Sequence, residues 1–256
     1  MLMIISPAKT LDFTKDNKAG YSTNTIFNNE MKELIEVLNK YSIEELSILM
    51  KMSEKLAEEN YNRYQKFFTD EIGCKEALLA FDGAVYRGIE VESFNCEDLE
   101  YAQRNLRILS GLYGVIRPLD MIKEYRLEMG TKLKFKTYKS LYNYWGDKLT
   151  NFILQEVESS IGDKVLINIA SNEYSKVLNL KEINKKFKVI NVEFKEKRGE
   201  EYKVVGTYSK KARGLLVNYI IKNKITKVED IKNFNKENYI LNDEFSTDTE
   251  LIFTRG

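Results

Sequence analysis

A short loop carrying two hydroxyl groups and a lysine follows the first apolar stretch of the chain. Ser6, Lys9 and Thr10 come directly after residues 1–5, whose apolar run is typical of a β-strand. A lysine at a strand end can bind a phosphate group, and it can act as an amine in catalysis if its pKa is lowered. A plain strand-exit turn with a solvated lysine is the alternative, and both interpretations stay open.

In residues 109–130, each of two arginines lies close in sequence to a carboxylate. Arg117 and Asp120 are three positions apart, and Arg126 and Glu128 are two apart. Such a set forms either a buried lattice of ion pairs or a site for bidentate recognition of phosphate. The two alternatives are evenly matched.

Two predicted strands end where predicted helices begin. Residues 164–170 lead into Ser171, and residues 201–208 lead into a basic helix start. The cations of that second start are Lys210, Lys211 and Arg213. Helix N-termini attract anions, so a shared phosphate-binding cleft is predicted. A solvated basic helix start is the alternative.

Residues 42–60 predict two helices joined by a short turn. Ser42 and Glu45 have the spacing of a capping box, and Lys51 and Lys55 flank the turn. A helix-hairpin-helix element binds the DNA backbone in this way, through amides at a helix N-terminus. The usual hairpin has a Gly-hydrophobic-Gly turn, which Met52-Ser53 replaces here, so an ordinary helical hairpin packed in the core is the alternative.

The sequence contains no histidine and two cysteines. This excludes His-based catalytic triads, His zinc sites and imidazole acid/base chemistry. Catalysis would have to use Lys, Asp, Glu, Tyr, Ser or Cys. Cys74 and Cys96 are far apart and fit no metal spacing, so we expect reduced thiols, no metal site and no cofactor.

The net charge is +1, but the charges are unevenly distributed. Residues 104–136 carry eight bases against three acids, and residues 195–213 carry seven against three. Residues 90–100 and 237–250 each carry five acids and no base. This pattern predicts a basic face for an anionic partner, with two unrelated solvated patches as the alternative.

The pattern of apolar residues predicts a single α+β domain over residues 1–256, with a mixed β-sheet surrounded by helices. The expected helices span residues 29–39, 42–51, 53–68, 97–106, 140–157, 172–178 and 211–222, and the expected strands span residues 1–5, 164–170, 187–194, 201–208 and 251–254. Gly83 and Gly88 predict a turn, and residues 106–109 either end a helix or form a short strand. No stretch reaches the ~20 apolar residues of a membrane span, and no basic leader precedes the first strand, so we expect a cytoplasmic protein.

Seven segments in collinear order resemble the YaaA peroxide-stress protein family. They are SPAKTLD at 6–12, KMSEKLA at 51–57, LSGLYGVIRPLD at 109–120, YRLEMG at 125–130, YNYWGDKLT at 142–150, NIASNEY at 168–174 and KKARGL at 210–215. The resemblance implies a cytosolic protein that limits iron-driven oxidative DNA damage. It also implies binding of double-stranded DNA through a positively charged cleft with a helix-hairpin-helix element.

The candidate residues follow from the motifs and the resemblance together. The DNA- or phosphate-binding candidates are Lys9, Lys51, Lys55, Arg117, Arg126, Ser171, Lys210, Lys211 and Arg213. The candidates for proton transfer are Lys9, Asp120, Glu128 and Lys210. If the motifs serve one site, the cations Lys9, Arg117, Arg126, Lys210 and Arg213 should share one concave surface.

Three functions compete on this basis. The first is a stress protein that binds DNA with little sequence preference. The second is an enzyme that acts on a nucleic acid or nucleotide at the same cleft. The third, direct iron handling, is disfavoured because only carboxylates and tyrosines could serve as ligands. The sequence leaves the oligomeric state open.

Overall fold

The computed structural model describes residues 1–14 and 20–256. The strands are β1 (Leu2–Ile5), β2 (Thr10–Leu11), β3 (Cys74–Glu76), β4 (Phe81–Asp82), β5 (Leu106–Ser110), β6 (Gly114–Ile116), β7 (Met121–Lys123), β8 (Val165–Asn168), β9 (Lys188–Arg198), β10 (Glu201–Lys203), β11 (Ile240–Leu241) and β12 (Glu250–Arg255). The α-helices are α1 (Asn28–Leu38), α2 (Ile43–Met50), α3 (Glu54–Gln65), α4 (Ala77–Ala80), α5 (Ala84–Ile89), α6 (Cys96–Asn105), α7 (Leu141–Ser159), α8 (Asn172–Ser175), α9 (Leu180–Lys186), α10 (Gly206–Lys222) and α11 (Val228–Ile231). Short 3₁₀ turns lie at Val91–Ser93 and Lys236–Asn238.

The main sheet has the strand order β11-β12-β9-β8-β1-β5-β6, with β10 paired to the end of β9. The pairs β5–β1, β1–β8, β8–β9 and β9–β12 are parallel, whereas β5–β6, β9–β10 and β11–β12 are antiparallel. β2 with β4 and β3 with β7 form two small antiparallel sheets. This confirms the predicted mixed sheet flanked by helices.

β1, an inner strand of the main sheet, is apolar and fully covered. Every residue of β1 is buried, as is every residue of its neighbour β8. Such continuous apolar runs are typical of parallel strands covered on both faces. One contiguous hydrophobic core extends from these strands to the helices, and Trp145 on α7 is buried in it.

Most of the predicted elements are confirmed. α1, α2, α3, α6 and α7 lie where the periodicity predicts them, and the capping box is complete. The Glu45 amide donates to Ser42 Oγ at 3.2 Å, and the Ser42 amide donates to Glu45 Oε2 at 2.8 Å. Of the two alternatives for residues 106–109, the strand is correct, because this segment forms β5.

Two predicted elements are wrong. The strand predicted over residues 201–208 stops at Lys203, and α10 begins already at Gly206. The alternating pattern of this segment resembles a strand, but its second half forms the first turn of a helix. The turn predicted around Gly83 and Gly88 is instead the helix α5, in which Gly88 meets a packing requirement.

In the described ranges, no helix is both long and apolar enough to cross a membrane.

Candidate functional site

The chain leaves the neighbouring strands β1 and β8 in opposite directions. After β1 the next strand of the main sheet is β5, on one side, and after β8 it is β9, on the other side. Loops that diverge in this way leave a crevice at the carboxyl ends of the two strands. Ligands of open α/β sheets characteristically bind at such a switch point. Ser6 follows β1 and Ser171 lies beyond the end of β8, so both residues lie at this crevice.

Hydrogen bonds join the two diverging loops. The Ser171 amide donates to Ser6 Oγ at 2.9 Å, and Ser6 Oγ lies 3.1 Å from Ser171 Oγ. The Tyr86 hydroxyl donates to the Ser6 carbonyl oxygen at 3.0 Å. The floor of the crevice is therefore fixed by contacts between segments that are 165 residues apart in sequence.

A cavity of about 310 Å³ occupies the crevice. Its lining comprises Ser6, Pro7, Ala8, Lys9, Thr10, Asp82, Gly83, Ala84, Val85, Tyr86, Glu128, Ile169, Ser171, Glu173, Tyr174, Lys210 and Arg213. Four segments that the sequence analysis singled out separately thus meet in one place. Arg126 lies beside this cavity, in a smaller one that it shares with Lys9 and Glu128.

A close contact between two helices forms one wall of the cavity. α5 contributes Val85 and Tyr86, and α10 contributes Lys210 and Arg213. The helices cross at Gly214, where a Cβ atom would lie 1.9 Å from the carbonyl oxygen of Val85. A glycine at this position therefore sets how far the cations of α10 are from the apolar side chains of α5.

The carboxylates that line the cavity have polar partners. Glu128 lies between two cations, with Oε2 2.8 Å from Lys9 Nζ and Oε1 3.1 Å from an Arg126 guanidinium nitrogen. Glu173 Oε1 accepts a hydrogen bond from the Gly130 amide at 3.0 Å. Asp82 Oδ1 lies 3.6 Å from the Arg87 guanidinium.

Two cations of the cavity lack such a carboxylate. Within the described ranges, no carboxylate oxygen lies within 4.0 Å of Lys210 or Arg213. One Arg213 guanidinium nitrogen donates to the Ile169 carbonyl oxygen at 3.0 Å, while Nε is buried without a hydrogen-bond partner. Burial lowers the pKa of Arg213, and the field of Glu193 opposes this shift. The cavity therefore has uncompensated positive charge at one end.

The two tyrosines of the cavity remain protonated at neutral pH. Burial raises the pKa of Tyr86 and of Tyr174 well above that of a free phenol. Their hydroxyl groups can donate hydrogen bonds but cannot serve as bases. Of the residues that the sequence predicts for proton transfer, Lys9, Glu128 and Lys210 line this cavity, and Asp82 and Glu173 add two further carboxylates.

Other predicted site residues lie elsewhere. Arg117 and Asp120 follow β6, which runs antiparallel to β5. They therefore lie at the amino ends of the parallel strands, away from the crevice and near Arg107 and Glu156. The prediction of one surface for five cations is therefore wrong for Arg117. The cause is the direction of one short strand, which the motif spacing does not reveal.

The prediction that a helix begins at the basic residues 210–213 is also wrong. Lys210, Lys211 and Arg213 lie in the second turn of α10, not at its N-terminus. Lys210 and Arg213 line the cavity from the side of the helix, whereas Lys211 forms an ion pair with Glu237.

The hairpin of α2 and α3 lies next to the site. Lys51 ends α2 in a left-handed conformation with φ of 50°, and the side chains of Lys51 and Lys55 are exposed. Neither residue lines the cavity. The Tyr64 hydroxyl on α3 donates to the carbonyl oxygen of Arg126, so the hairpin contacts the segment that supplies Arg126 and Glu128.

Ion pairs neutralise much of the basic segment at residues 104–136. Arg107 pairs with Glu156, Arg117 with Asp120, and Lys136 with Glu33. Because these three cations are already paired, they add no free positive charge to the basic face that the composition predicts. Across the described ranges, no group of three or more Cys, Asp or Glu side chains is placed to hold a metal ion.

Sequence reasoning missed Asp82, Val85, Tyr86, Glu173 and Tyr174 as lining residues. Glu173 and Tyr174 belong to a motif that was singled out, and their position directly after Ser171 was the available signal. The other three lie around α5, which was interpreted as a turn because of its glycines.

Comparison with known proteins gives a consistent result over the full length. The family model for the peroxide stress protein YaaA matches residues 1–245. A UPF0246 protein of Clostridium botulinum (strain Alaska E43 / Type E3) is 48% identical over 99% of both chains. UPF0246 proteins of Clostridium perfringens (strain 13 / Type A) and Francisella tularensis subsp. tularensis are 46% and 43% identical, each over 100% of both chains.

Proposed function

Because this chain belongs to the peroxide stress protein YaaA family, we propose that it acts in the peroxide-stress response by binding double-stranded DNA in the cytoplasm. The basic end of the crevice between β1 and β8 contacts the phosphate backbone. By occupying DNA, the protein limits iron-driven oxidative damage to it. The proposed effect on iron is indirect: without histidine only carboxylates, tyrosines and two cysteines could be ligands, and in the described ranges no three Cys, Asp or Glu side chains are grouped to hold a metal ion.

The observation that carries this proposal is the pair of cations without a carboxylate, Lys210 and Arg213. A charge that is already paired within the protein gains little from a phosphate, whereas an unpaired one is available for it. Lys9 at the same opening is 62% exposed and can exchange Glu128 for a phosphate oxygen. Contacts of this kind go to the backbone and do not read base sequence, so little sequence preference is expected.

The α2–α3 hairpin extends the proposed surface. Lys51 and Lys55 are exposed at and just after its turn, and Tyr64 attaches it to the segment that carries Arg126 and Glu128. A duplex is much larger than a cavity of about 310 Å³ and would lie across its opening. The hairpin would then supply a second set of phosphate contacts beside the first.

Fluorescence anisotropy with two unrelated duplexes, both with 5′-hydroxyl ends, tests the proposal over a range of salt concentrations. Lys210→Ala and Lys55→Ala should weaken both complexes equally and reduce the salt slope by roughly 0.9 for each lost phosphate contact. Lys211→Ala is the matched control, because it removes the same charge one residue along α10 but from a lysine paired with Glu237. Salt-independent binding, or the same loss in all three variants, would reject the proposed surface.

One observation favours a second function, an enzyme acting on a nucleic acid or nucleotide. Lys9 and Glu128 lie 2.8 Å apart at the cavity, which is a suitable arrangement for proton transfer. Asp120 is not available for this role, because it pairs with Arg117 at the amino ends of the parallel strands, away from the cavity. Contact with phosphates alone does not require a cavity, and a Glu128→Gln variant distinguishes the two functions.

A further inference from the structure

The cavity at the switch point has the size of a small-molecule site. Its volume of about 310 Å³ is at the lower end of the roughly 300–1,000 Å³ typical of such sites. A duplex that contacts only the opening would leave the interior unused. The interior therefore needs an explanation beyond the binding of a DNA backbone.

One end of the cavity is suited to a phosphate group. Arg213 has a buried Nε without a partner and uses another guanidinium nitrogen for the Ile169 carbonyl oxygen, which fixes the plane of the side chain. Lys210 lies one helical turn before Arg213 and has no carboxylate within 4.0 Å in the described ranges. The Ser171 hydroxyl adds a neutral donor from the loop after β8. A fork-shaped guanidinium, an ammonium and a hydroxyl together are typical of sites for phosphate oxygens.

The remaining walls are suited to a nucleoside. Pro7, Ala8 and Val85 present apolar surface that can cover a base or the carbon face of a sugar. Asp82 and Glu173 supply carboxylate oxygens that can accept hydrogen bonds from sugar hydroxyls or a base amino group. Inorganic phosphate would use only the basic end and leave these walls empty.

We infer that this cavity binds one nucleoside monophosphate unit, with its phosphate group at Lys210 and Arg213 and its nucleoside part against Pro7, Ala8 and Val85. The unit is either a free mononucleotide or the 5′-phosphorylated terminal nucleotide of a DNA strand, since both present the same chemistry. The inference rests on the proposed function only in that both use Lys210 and Arg213. It otherwise concerns the inner part of the same crevice, which a duplex lying across the opening would not fill.

Isothermal titration calorimetry with AMP, dAMP, adenosine and inorganic phosphate tests the inference with the full chain. A mononucleotide should bind at least 10-fold more tightly than either adenosine or phosphate. Lys210→Ala should weaken it at least 10-fold, whereas Lys211→Ala should leave it unchanged. Arg213→Lys is a second variant that keeps the charge but removes the fork, and it should also weaken binding.

A pair of single-stranded oligonucleotides, with and without a 5′-phosphate, distinguishes the two sources. If the terminal nucleotide of a strand is the ligand, the 5′-phosphate should tighten binding through Lys210 while free mononucleotides bind poorly. The inference is overturned if inorganic phosphate binds as tightly as AMP. It is also overturned if Lys210→Ala weakens the binding of neither the mononucleotide nor the 5′-phosphorylated strand. Salt-dependent duplex binding without any nucleotide binding would overturn it and leave the proposed function intact. Nucleotide binding without duplex binding would support the inference and reject the proposed DNA-binding function.

Discussion

Gly88 of α5 and Gly214 of α10 face each other at the point where the two helices cross. A Cβ atom built on Gly214 would lie 2.9 Å from the Cα atom of Gly88 and 1.9 Å from the Val85 carbonyl oxygen. Both atoms belong to the backbone, which cannot rotate away as a flexible side chain could. The contact fixes the wall that carries Val85 on one helix and Arg213 on the other.

Gly214→Ala should therefore force α5 and α10 apart. We expect a loss of about 1–3 kcal/mol in the free energy of unfolding, the usual cost of overpacking, measured by urea denaturation. Gly206→Ala is the matched control on the same helix, because a Cβ atom added there would have no atom within 4 Å of it. That variant should be neutral or more stable by up to about 1 kcal/mol. Equal stability of the two variants would show that the close contact has no energetic importance.

Arg117 should stabilise the fold without contributing to DNA binding. Its side chain is 31% exposed and holds the fully buried carboxylate of Asp120 at 2.9 Å, while a guanidinium nitrogen donates to the Asn24 carbonyl oxygen at 2.9 Å. Arg117→Ala leaves that carboxylate under-neutralised. It should cost about 3 kcal/mol, near the lower end for breaking a buried pair because Arg117 is partly solvated.

Urea denaturation and DNA titration of the same Arg117→Ala sample check this prediction. Arg104→Ala is the control, since Arg104 lines the same cavity as Arg117 but is 67% exposed and pairs with Glu100, which is itself exposed. The control should change stability by no more than about 0.5 kcal/mol. A clear loss of DNA affinity in folded Arg117→Ala would contradict the location of the proposed surface.

Glu128→Gln separates a binding protein from an enzyme. The change removes the charge shared by Lys9 and Arg126 but keeps the shape and one acceptor oxygen. If Glu128 only holds these cations, DNA affinity should stay the same or rise slightly, and survival of peroxide by cells should follow the amount of folded protein. We expect this outcome.

The opposite result of the Glu128→Gln experiment is equally specific. If Glu128 transfers a proton, folding and DNA affinity should be unchanged while turnover falls by about 10²–10⁴-fold. Cells carrying the variant would then lose peroxide survival although they contain normal amounts of stable protein. Thermal unfolding, DNA titration and survival, measured together, distinguish the two roles.

Asp98 should make the stability of the protein depend on pH in the acid range. Burial tends to raise the pKa of this carboxyl, but hydrogen bonds from the Lys222 and Lys224 ammonium groups outweigh burial and lower it. Because the pKa is lower in the folded than in the unfolded state, the stabilisation is complete above the unfolded pKa of about 3.9. It is lost as the pH falls through the folded pKa.

Asp98→Asn tests this pH dependence. The variant should lose about 1.5–3 kcal/mol at neutral pH, and its difference from the parent should shrink below about pH 3. Glu229→Gln is the control, because Glu229 is 77% exposed and its ion pair with Lys232 lies on the surface. A difference between Asp98→Asn and the parent that does not change with pH would mean that the shape of the side chain matters and its charge does not.

Local signals in the sequence were sufficient for most of the fold. Ser42 and Glu45 specify the start of α2 through contacts three residues apart, and the apolar run of β1 identifies a buried strand. The position of Arg117 could not be predicted, because it depends on β6 reversing direction beside β5. The convergence of Lys9 with Arg213 could be predicted only on the condition that the separate motifs serve one site, since residues 204 positions apart share no local pattern.

The glycines at positions 83 and 88 led to a wrong prediction, because they indicated a turn where α5 forms. Gly88 resembles a helix breaker in the sequence, yet α5 tolerates it because Gly214 approaches it from another helix. A tertiary contact thus reverses the local preference. The lining residues around α5 were missed for the same reason.

The position of β1 between β5 and β8 has a consequence for synthesis on the ribosome. Met3 pairs with Leu106 on one side, and Leu2 pairs with Leu166 on the other. At about 5–20 residues per second, the first strand to emerge waits roughly 10–30 s for its second partner to be translated. Throughout this time an apolar strand with an open edge is exposed to other nascent chains. The assembly of the crevice is therefore a late event in the life of the chain, and it is the stage at which aggregation competes with folding.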